Sequence, residues 1–323
     1  MKAVLRINGL TIKTKRHKTD VLLVHNLSMS VGKGQITALA GESGSGKSMT
    51  AAAVAQLLPP QITADGSIIL DTTELTALSR KELNRIRARE MSIIFQEPVR
   101  ALNPLIPVGK QVEEVLCIHT GLTRQERKAQ VLGIFKETGI SEPERVYHAY
   151  PHQLSGGMNQ RIMIAVATIL KPKLLIADEP TTALDVTVQK QIITLLKRLR
   201  ERNGTSVLLI THDLALAAEV CDFIYVMYAG HIVESGSVQQ VFTAPQHPYT
   251  KALLQTIPRA EVKADRLYPI EGAPPEPAAV VESCLFYPRC TERNEECRAA
   301  PVPLYTRGED RAVRCIRCKE AVK

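Results

Sequence analysis

Residues 41–48 read Gly41-Glu42-Ser43-Gly44-Ser45-Gly46-Lys47-Ser48, the spacing G-x-x-x-x-G-K-[ST]. Glycines at this spacing let backbone N–H groups turn inward around phosphate oxygens. A helix starting at the same point adds positive potential. Lys47 reaches the outer phosphates and the Ser48 hydroxyl ligates Mg²⁺. A second group is Leu174-Leu-Ile-Ala-Asp178-Glu179, an apolar run ending in two carboxylates. Asp178 can hold the Mg²⁺ shell, and Glu179 can polarise a water toward the terminal phosphate. Alone, such a run is equally well a capped strand end. Its pairing with the phosphate loop gives it chemical meaning. The third group is sulfur. Of seven cysteines, Cys117 and Cys221 are isolated, while Cys284, Cys290, Cys297, Cys315 and Cys318 crowd into residues 284–318. The first residues, MKAVLRINGL, carry no apolar block with a cleavage site, so secretion is not expected and the crowding reads as a metal or cluster site rather than a disulfide frame. Four thiolates suit an iron–sulfur cluster or tetrahedral Zn²⁺. Cys315-x-x-Cys318 keeps zinc and ligand exchange open, and free thiols are the third reading.

These groups need elements to hold them. Residues 35–40 form a short apolar strand before the loop, and the Ala-rich run 49–58 reads as a helix stopped by Pro59-Pro60. Residues 3–8 and 21–31 read as strands joined by a cationic turn (Lys13, Lys15, Arg16, Lys18), taken as a solvated hairpin loop. Buried strands are expected at 91–95, 174–177, 206–210 and 223–227, with helices opening at Ser155 and spanning 187–202 up to Gly204. Continuous apolar strands alternating with helices argue for a largely parallel sheet covered on both faces. Residues 98–150 are helical with no convincing core strand, and residues 271–281 are Pro-rich and linker-like.

Composition is consistent with this. The chain has 323 residues, 45% hydrophobic and 23% charged, which suits a globular protein and excludes a disordered or collagen-like one. The longest apolar stretch, residues 162–170, is half the length of a membrane-spanning helix. A net charge of +8 suits phosphates, nucleic acid or an anionic membrane surface without choosing among them. With 8 Tyr, 5 Phe and no Trp, base-stacking platforms for single strands are disfavoured.

Leu154-Ser155-Gly156-Gly157-Met158-Asn159-Gln160-Arg161 resembles the signature of the ATP-binding cassette family. Further elements appear in family order: Gln96 after a strand, Ala183-Leu184-Asp185 after Glu179, and His212 closing a strand. The resemblance spans about residues 3–258. It implies an α/β fold with a P-loop NTPase core of the cassette type, an antiparallel β subdomain, a helical insertion and a small Cys-rich C-terminal extension. It also implies roles. Ser155, Gly156 and Gly157 would bind the γ-phosphate of ATP held by the opposite subunit. Gln96 would contact Mg²⁺ and report to the transmembrane partner, Asp185 would line the subunit junction, and His212 would contact the γ-phosphate. An intact Glu179 and His212 speak against a non-hydrolysing regulatory cassette. The family's adenine-stacking aromatic has no counterpart, because the first aromatic is Phe95. Ile12, His17 or His25 could fill its place in shape.

The tail narrows the resemblance. His247-Pro-Tyr-Thr250, Glu271-Gly-Ala-Pro-Pro275 and the cysteine block look like the ATPase subunits of bacterial dipeptide and oligopeptide importers, with nickel or metal-chelate importers as a close branch. In that subfamily the pattern Cys284-x5-Cys290-x6-Cys297-x17-Cys315 holds a four-iron four-sulfur cluster. The implied protein is an ATP- and Mg²⁺-dependent ATPase, peripheral on the cytoplasmic face of the inner membrane. Its partners would be a second cassette subunit in a heterodimer, two transmembrane permease subunits and a periplasmic or extracellular solute-binding protein, without direct nucleic acid. The rival class is a soluble cassette ATPase acting on DNA or ribosomes; a single cassette and no sustained heptads disfavour it. The expected divisions are 1–97 with 156–243 as the ATP-binding core, 98–155 as the helical signature subdomain and 244–323 as the extension. The cysteine segment is expected to lie in a core separate from the Lys47 site.

Overall fold

The computed structural model describes residues 2–16, 19–182, 184–257, 270–277, 281–308 and 310–321; His17, Lys18, Ala183 and part of the Pro-rich stretch lie outside them. Two compact units emerge. One comprises Leu5–Val31, Ile36–Thr76 and Ile210–Lys323; the other is mainly Ala77–Leu209.

In the first unit, strand character follows burial. Ala3–Arg16 alternates buried and exposed positions and pairs antiparallel with Ile62–Leu70, which pairs in turn with Thr73–Glu74. One wet face and one buried face give that alternation. Ile36–Ala40 is instead buried at every position and runs parallel to Phe223–Tyr228, with Ala38 beside Ile224 and Ala40 beside Val226. The sequence reading assigns no strand beyond 227. The structure adds His231–Ser237 antiparallel to Phe223–Tyr228, and then the short pair Ala312–Val313 and Tyr305–Thr306. The extension thus completes the sheet edge.

The expectation of a separate core for the cysteine segment is overturned here. Phe286 and Cys290 pack in one buried cluster with Ala38, Ala40, Tyr228 and Tyr249. Apolar side chains from the tail and from the strand before the phosphate loop exclude water jointly. The tail alone has too few of them to bury its own turn.

The helix after the loop is also shorter than its composition implies. It spans Lys47–Val54 rather than reaching the prolines. Gln56 takes a left-handed φ of 55°, with Leu57 N bonded to Ala52 O at 2.8 Å and Gln56 N to Ala53 O at 3.0 Å. This pair of bonds is a Schellman stop.

The second unit holds the helical insertion. Met91–Ile94 and Leu174–Asp178 pair in parallel. The helices Val108–His119, Arg124–Glu137 and Pro143–Tyr147 precede the signature helix Gly156–Thr168. Their polar knot is Glu113, buried yet bonded to Lys110 at 2.6 Å, Arg127 at 3.3 Å and the Tyr147 hydroxyl. Its cationic and hydroxyl partners hold its carboxyl below the ordinary range, overcoming desolvation that pushes the other way.

Two buried polar side chains tie the extension to the sheet in the first unit. Glu234, fully buried, accepts from Gln246 N at 2.9 Å, His247 N at 2.9 Å and Arg311 at 2.9 Å. His247 then caps Pro248–Gln255, its Nδ1 accepting from Tyr249 N at 3.0 Å. Burial pushes the His247 pKa down to about 3, so the ring stays neutral and its lone pair remains available. Glu234→Ala strands two amides and a largely buried guanidinium. It should lower the unfolding free energy by roughly 3–5 kcal/mol, while Glu234→Gln, which keeps one acceptor, should cost less. Urea denaturation of both variants measures this, and wild-type stability in Glu234→Ala would refute the role.

Candidate functional site

The phosphate loop leaves the sheet at Ala40 and enters its helix at Lys47. Its turn depends on Gly41 at φ 154°, Gly44 at 79° and Gly46 at 105°. A Cβ on Gly41 would lie 2.1 Å from Met227 O, so only glycine fits against that backbone. Lys47 is buried and donates from Nζ to Gly41 O at 2.8 Å and Glu42 O at 2.9 Å, lying along the loop it serves. Gly230 N donates to Ser45 O at 2.9 Å and pins the outer side. Two observations fit an anion here. The helix is capped by Gly46 with no side-chain acceptor. The buried Ser45 hydroxyl has no hydrogen-bond partner among the described residues. Glu42 N donates to the buried Tyr249 hydroxyl at 3.0 Å, and Glu42 itself meets Arg289 of the extension. Neither Tyr249 nor Arg289 was legible as part of this site, because each lies more than 200 positions away with no spacing to mark it. His212 is exposed in the same unit, between Ser206–Thr211 and the helix Leu214–Val220.

In the second unit the structure brings Gln96 and Glu179 together. Gln96 Nε2 donates to Glu179 Oε2 at 3.0 Å, and Thr182 Oγ1 donates to the same oxygen at 2.9 Å. Thr182 is a further residue that sequence reading missed. Glu179 has a left-handed φ of 46°, unusual for a non-glycine residue, and turns out of the strand immediately after buried Asp178. Ser155 and Gly156 are exposed at the start of the signature helix, where Ser155 Oγ accepts from Met158 N at 3.3 Å. Gly157 is held close by packing, since a Cβ there would lie 3.0 Å from Val188 Cγ1. Asp185 does local work: it caps Val186–Asn203, accepting from Val188 N at 2.9 Å.

Four of the five tail cysteines, Cys284, Cys290, Cys297 and Cys315, line one small cavity with Phe286 and Val302. Cys284 N donates to Cys297 O at 3.0 Å and Cys290 N to Tyr287 O at 3.3 Å, so three of the thiols come from one tightly turned segment, while Cys315 follows the strand Ala312–Val313. Burial and neighbouring thiols push Cys284 and Cys290 up, and Cys315 up to about 11. Among the described residues, no three His, Cys, Asp or Glu side chains converge on one point as a single metal ion requires. The expected metal or cluster site thus has no preformed ligand group among the described residues, for zinc or for iron–sulfur.

A family model described as "ABC transporter" matches residues 24–182, and one described as "Oligopeptide/dipeptide transporter, C-terminal region" matches residues 233–297. The oligopeptide transport ATP-binding protein AppD of Bacillus subtilis is 41% identical over 322 residues, 99% of this chain and 98% of that protein. The oligopeptide transport ATP-binding protein OppD of Escherichia coli is 42% identical over 312 residues, 96% of this chain and 92% of that protein. Among solved structures, a dimeric ATP-binding cassette in a post-hydrolysis state with ADP and Pi has a TM-score of 0.66 at 28% identity, covering 72% of this chain and 98% of that one.

Loop geometry sets a contrast between glycines. Gly41→Ala must displace backbone, whereas a Cβ on Gly44 meets nothing within 4 Å. Gly41→Ala should abolish nucleotide binding and lower Tm. Gly44→Ala should cost only the left-handed penalty of about 1–2 kcal/mol. Equal behaviour of the two in calorimetric titration and thermal melting would contradict this account.

Proposed function

The chain belongs to the ABC transporter ATP-binding family, and on that premise we propose that it is the Mg²⁺-ATP-hydrolysing subunit of a peptide importer at the cytoplasmic face of a bacterial inner membrane. The observation that carries the hydrolytic reading is the Glu179 carboxylate, held by Gln96 and Thr182 at the end of a buried strand. Such a carboxylate orients the attacking water and accepts its proton. Lys47, the Ser45 hydroxyl and the helix start at Gly46 bind the phosphates, and His212 contacts the γ-phosphate. Ser48 in one unit, and Asp178 and Gln96 in the other, each carry a hard oxygen donor of the kind Mg²⁺ takes. A bound Mg²⁺ would neutralise charge on the phosphate oxygens. The signature at Ser155–Gly157, exposed at Ser155 and Gly156, serves the ATP of a second cassette, and Asp185 lies at that junction.

The peptide reading is supported by the names of the relatives and by the match of the tail to a peptide-transporter region. No helix among the described residues is long and apolar enough to cross a membrane. Permease subunits then need a docking face. Phe95, Val99, Leu105 and Ile106, exposed at 40%, 56%, 82% and 37%, supply an apolar one next to Gln96. A different cassette subunit as partner and a solute-binding protein complete the assembly.

The cysteine cavity is proposed to hold a four-iron four-sulfur cluster. What supports this reading is that four cysteines, the number of ligands such a cluster takes, line one apolar cavity. Such a group cross-links the turn and stores no part of the ATP chemistry.

Two measurements test these readings. In the assembled complex with the partner's site silenced, Glu179→Gln should keep ATP binding and lose turnover by about 100-fold or more; near-normal turnover removes Glu179 from its role. Anaerobic purification should yield brown protein with about four irons per chain, bleached in Cys290→Ser. Colourless protein with stoichiometric zinc would reassign the site, and colourless metal-free protein with a protease-resistant tail would remove it.

A further inference from the structure

The turn that carries the cysteines is bonded to the phosphate loop. Arg289 closes the single helical turn Tyr287–Arg289, between Cys284 and Cys290. Its side chain is only 5% exposed and reaches Glu42, the second loop residue, as a fork: Nη1 to Oε2 at 2.8 Å and Nη2 to Oε1 at 3.1 Å. The remaining donors are used too. Nε donates to Glu271 O at 3.0 Å, Nη2 also to Ile270 O at 3.1 Å, and Nη1 approaches the Tyr228 hydroxyl at 3.4 Å. The guanidinium also lies 5.7 Å from the Tyr228 ring centroid. A residue so fully engaged is a fixed strut rather than a mobile surface partner.

The strut answers an electrostatic problem. Glu42 carries a carboxylate within a loop where Lys47, the Ser45 hydroxyl, unpartnered among the described residues, and the helix start without a side-chain cap fit an anion. Left alone, that carboxylate would repel a polyphosphate through a partly buried, poorly screened medium. The bidentate arginine cancels it and fixes its backbone. The Glu42 carbonyl receives Lys47, and the Glu42 amide meets the Tyr249 hydroxyl. Arg289 is covalently next to Cys290, which is buried in the same cluster as Tyr249 and Tyr228. Any change that moves the Cys284–Cys290 turn therefore moves the guanidinium.

We propose that Arg289 is a positioning residue for nucleotide binding, neutralising and fixing Glu42, and that the integrity of the cysteine turn sets the loop's affinity for ATP through it. This rests on the reading that residues 41–48 bind ATP. The coupling is a regulatory link from the thiol site to the phosphate loop within one chain, independent of the partner cassette.

The test uses the purified full chain and a fluorescent ATP analogue at fixed ionic strength, with folding followed by circular dichroism. Arg289→Ala should weaken binding by about tenfold or more, and Arg289→Lys, which keeps charge but loses the fork, by an intermediate factor. Removing the repelling carboxylate should restore what the arginine supplied. The double variant Arg289→Ala with Glu42→Ala should bind better than Arg289→Ala alone, within about threefold of Glu42→Ala. Cys290→Ser should weaken binding with Arg289 present and change it less than about twofold in the double variant. In the assembled complex, Arg289→Ala should raise KM far more than it lowers kcat. A merely structural arginine would give no rescue by Glu42→Ala. Wild-type-like binding by Arg289→Ala, or losses that multiply in the double variant, overturns the proposal, and Arg289→Lys decides the case if the alanine variant does not fold. A wild-type chain that binds no ATP would instead overturn the nucleotide reading, and this proposal with it.

Discussion

A glycine-rich loop closes few bonds of its own, here Ser45 N to Glu42 O at 3.3 Å, so its shape must be imposed largely from outside. Here the imposition is dense. The loop's first carbonyls receive Lys47, its outer side is pinned by Gly230, and its Glu42 amide and carboxylate are taken by Tyr249 and Arg289. The strand before it is buried at every residue, and the Met227 carbonyl leaves no room for a side chain at Gly41. Much of the first unit can be understood as scaffolding for eight residues. The strand His231–Ser237, the cap made by neutral His247 and the buried carboxylate of Glu234 all serve to place Tyr249 and the cysteine turn. The polar interior is costly unless every member is paired, which is why these contacts come as a connected set.

The second unit solves a different problem, that of aiming a carboxylate. A strand delivers Asp178 and Glu179 in succession, so their side chains would ordinarily point to opposite faces. The left-handed backbone at Glu179 breaks that alternation and lets Gln96 and Thr182 share one carboxylate oxygen. Strain of this kind, of order 1–3 kcal/mol, persists where surrounding bonds over-determine it.

What could be read from sequence divides along the range of the interactions. The phosphate loop, the Asp178-Glu179 strand end and the Ser155 helix start were legible because their chemistry demands fixed residue types at short spacing. The parallel strands followed from continuous apolar runs. The premature end of the Lys47–Val54 helix was not legible, since a left-handed Gln56 carries no compositional mark while Pro59-Pro60 does. The antiparallel strand 231–237 was missed because it mixes His, Glu, Ser and Gly, and its buried Glu234 is satisfied by Arg311 and two backbone amides that no local spacing marks. The separate core expected for the cysteines failed for the same reason. Residues 284–290 read as loop by themselves and become core only beside Ala38 and Ala40.

The distance along the chain between Glu42 and Arg289 has a consequence for biosynthesis. Their bond joins residues 247 positions apart. At a synthesis rate of about 5–20 residues per second, the arginine emerges roughly 10–50 s after the glutamate. Through that interval the nascent phosphate loop has its glycines and its lysine but not its counter-charge. If Arg289 serves Glu42 as proposed, the loop binds nucleotide more weakly until residue 289 has been made and folded, and a chain truncated before the cysteine turn is left with an uncompensated carboxylate in its loop.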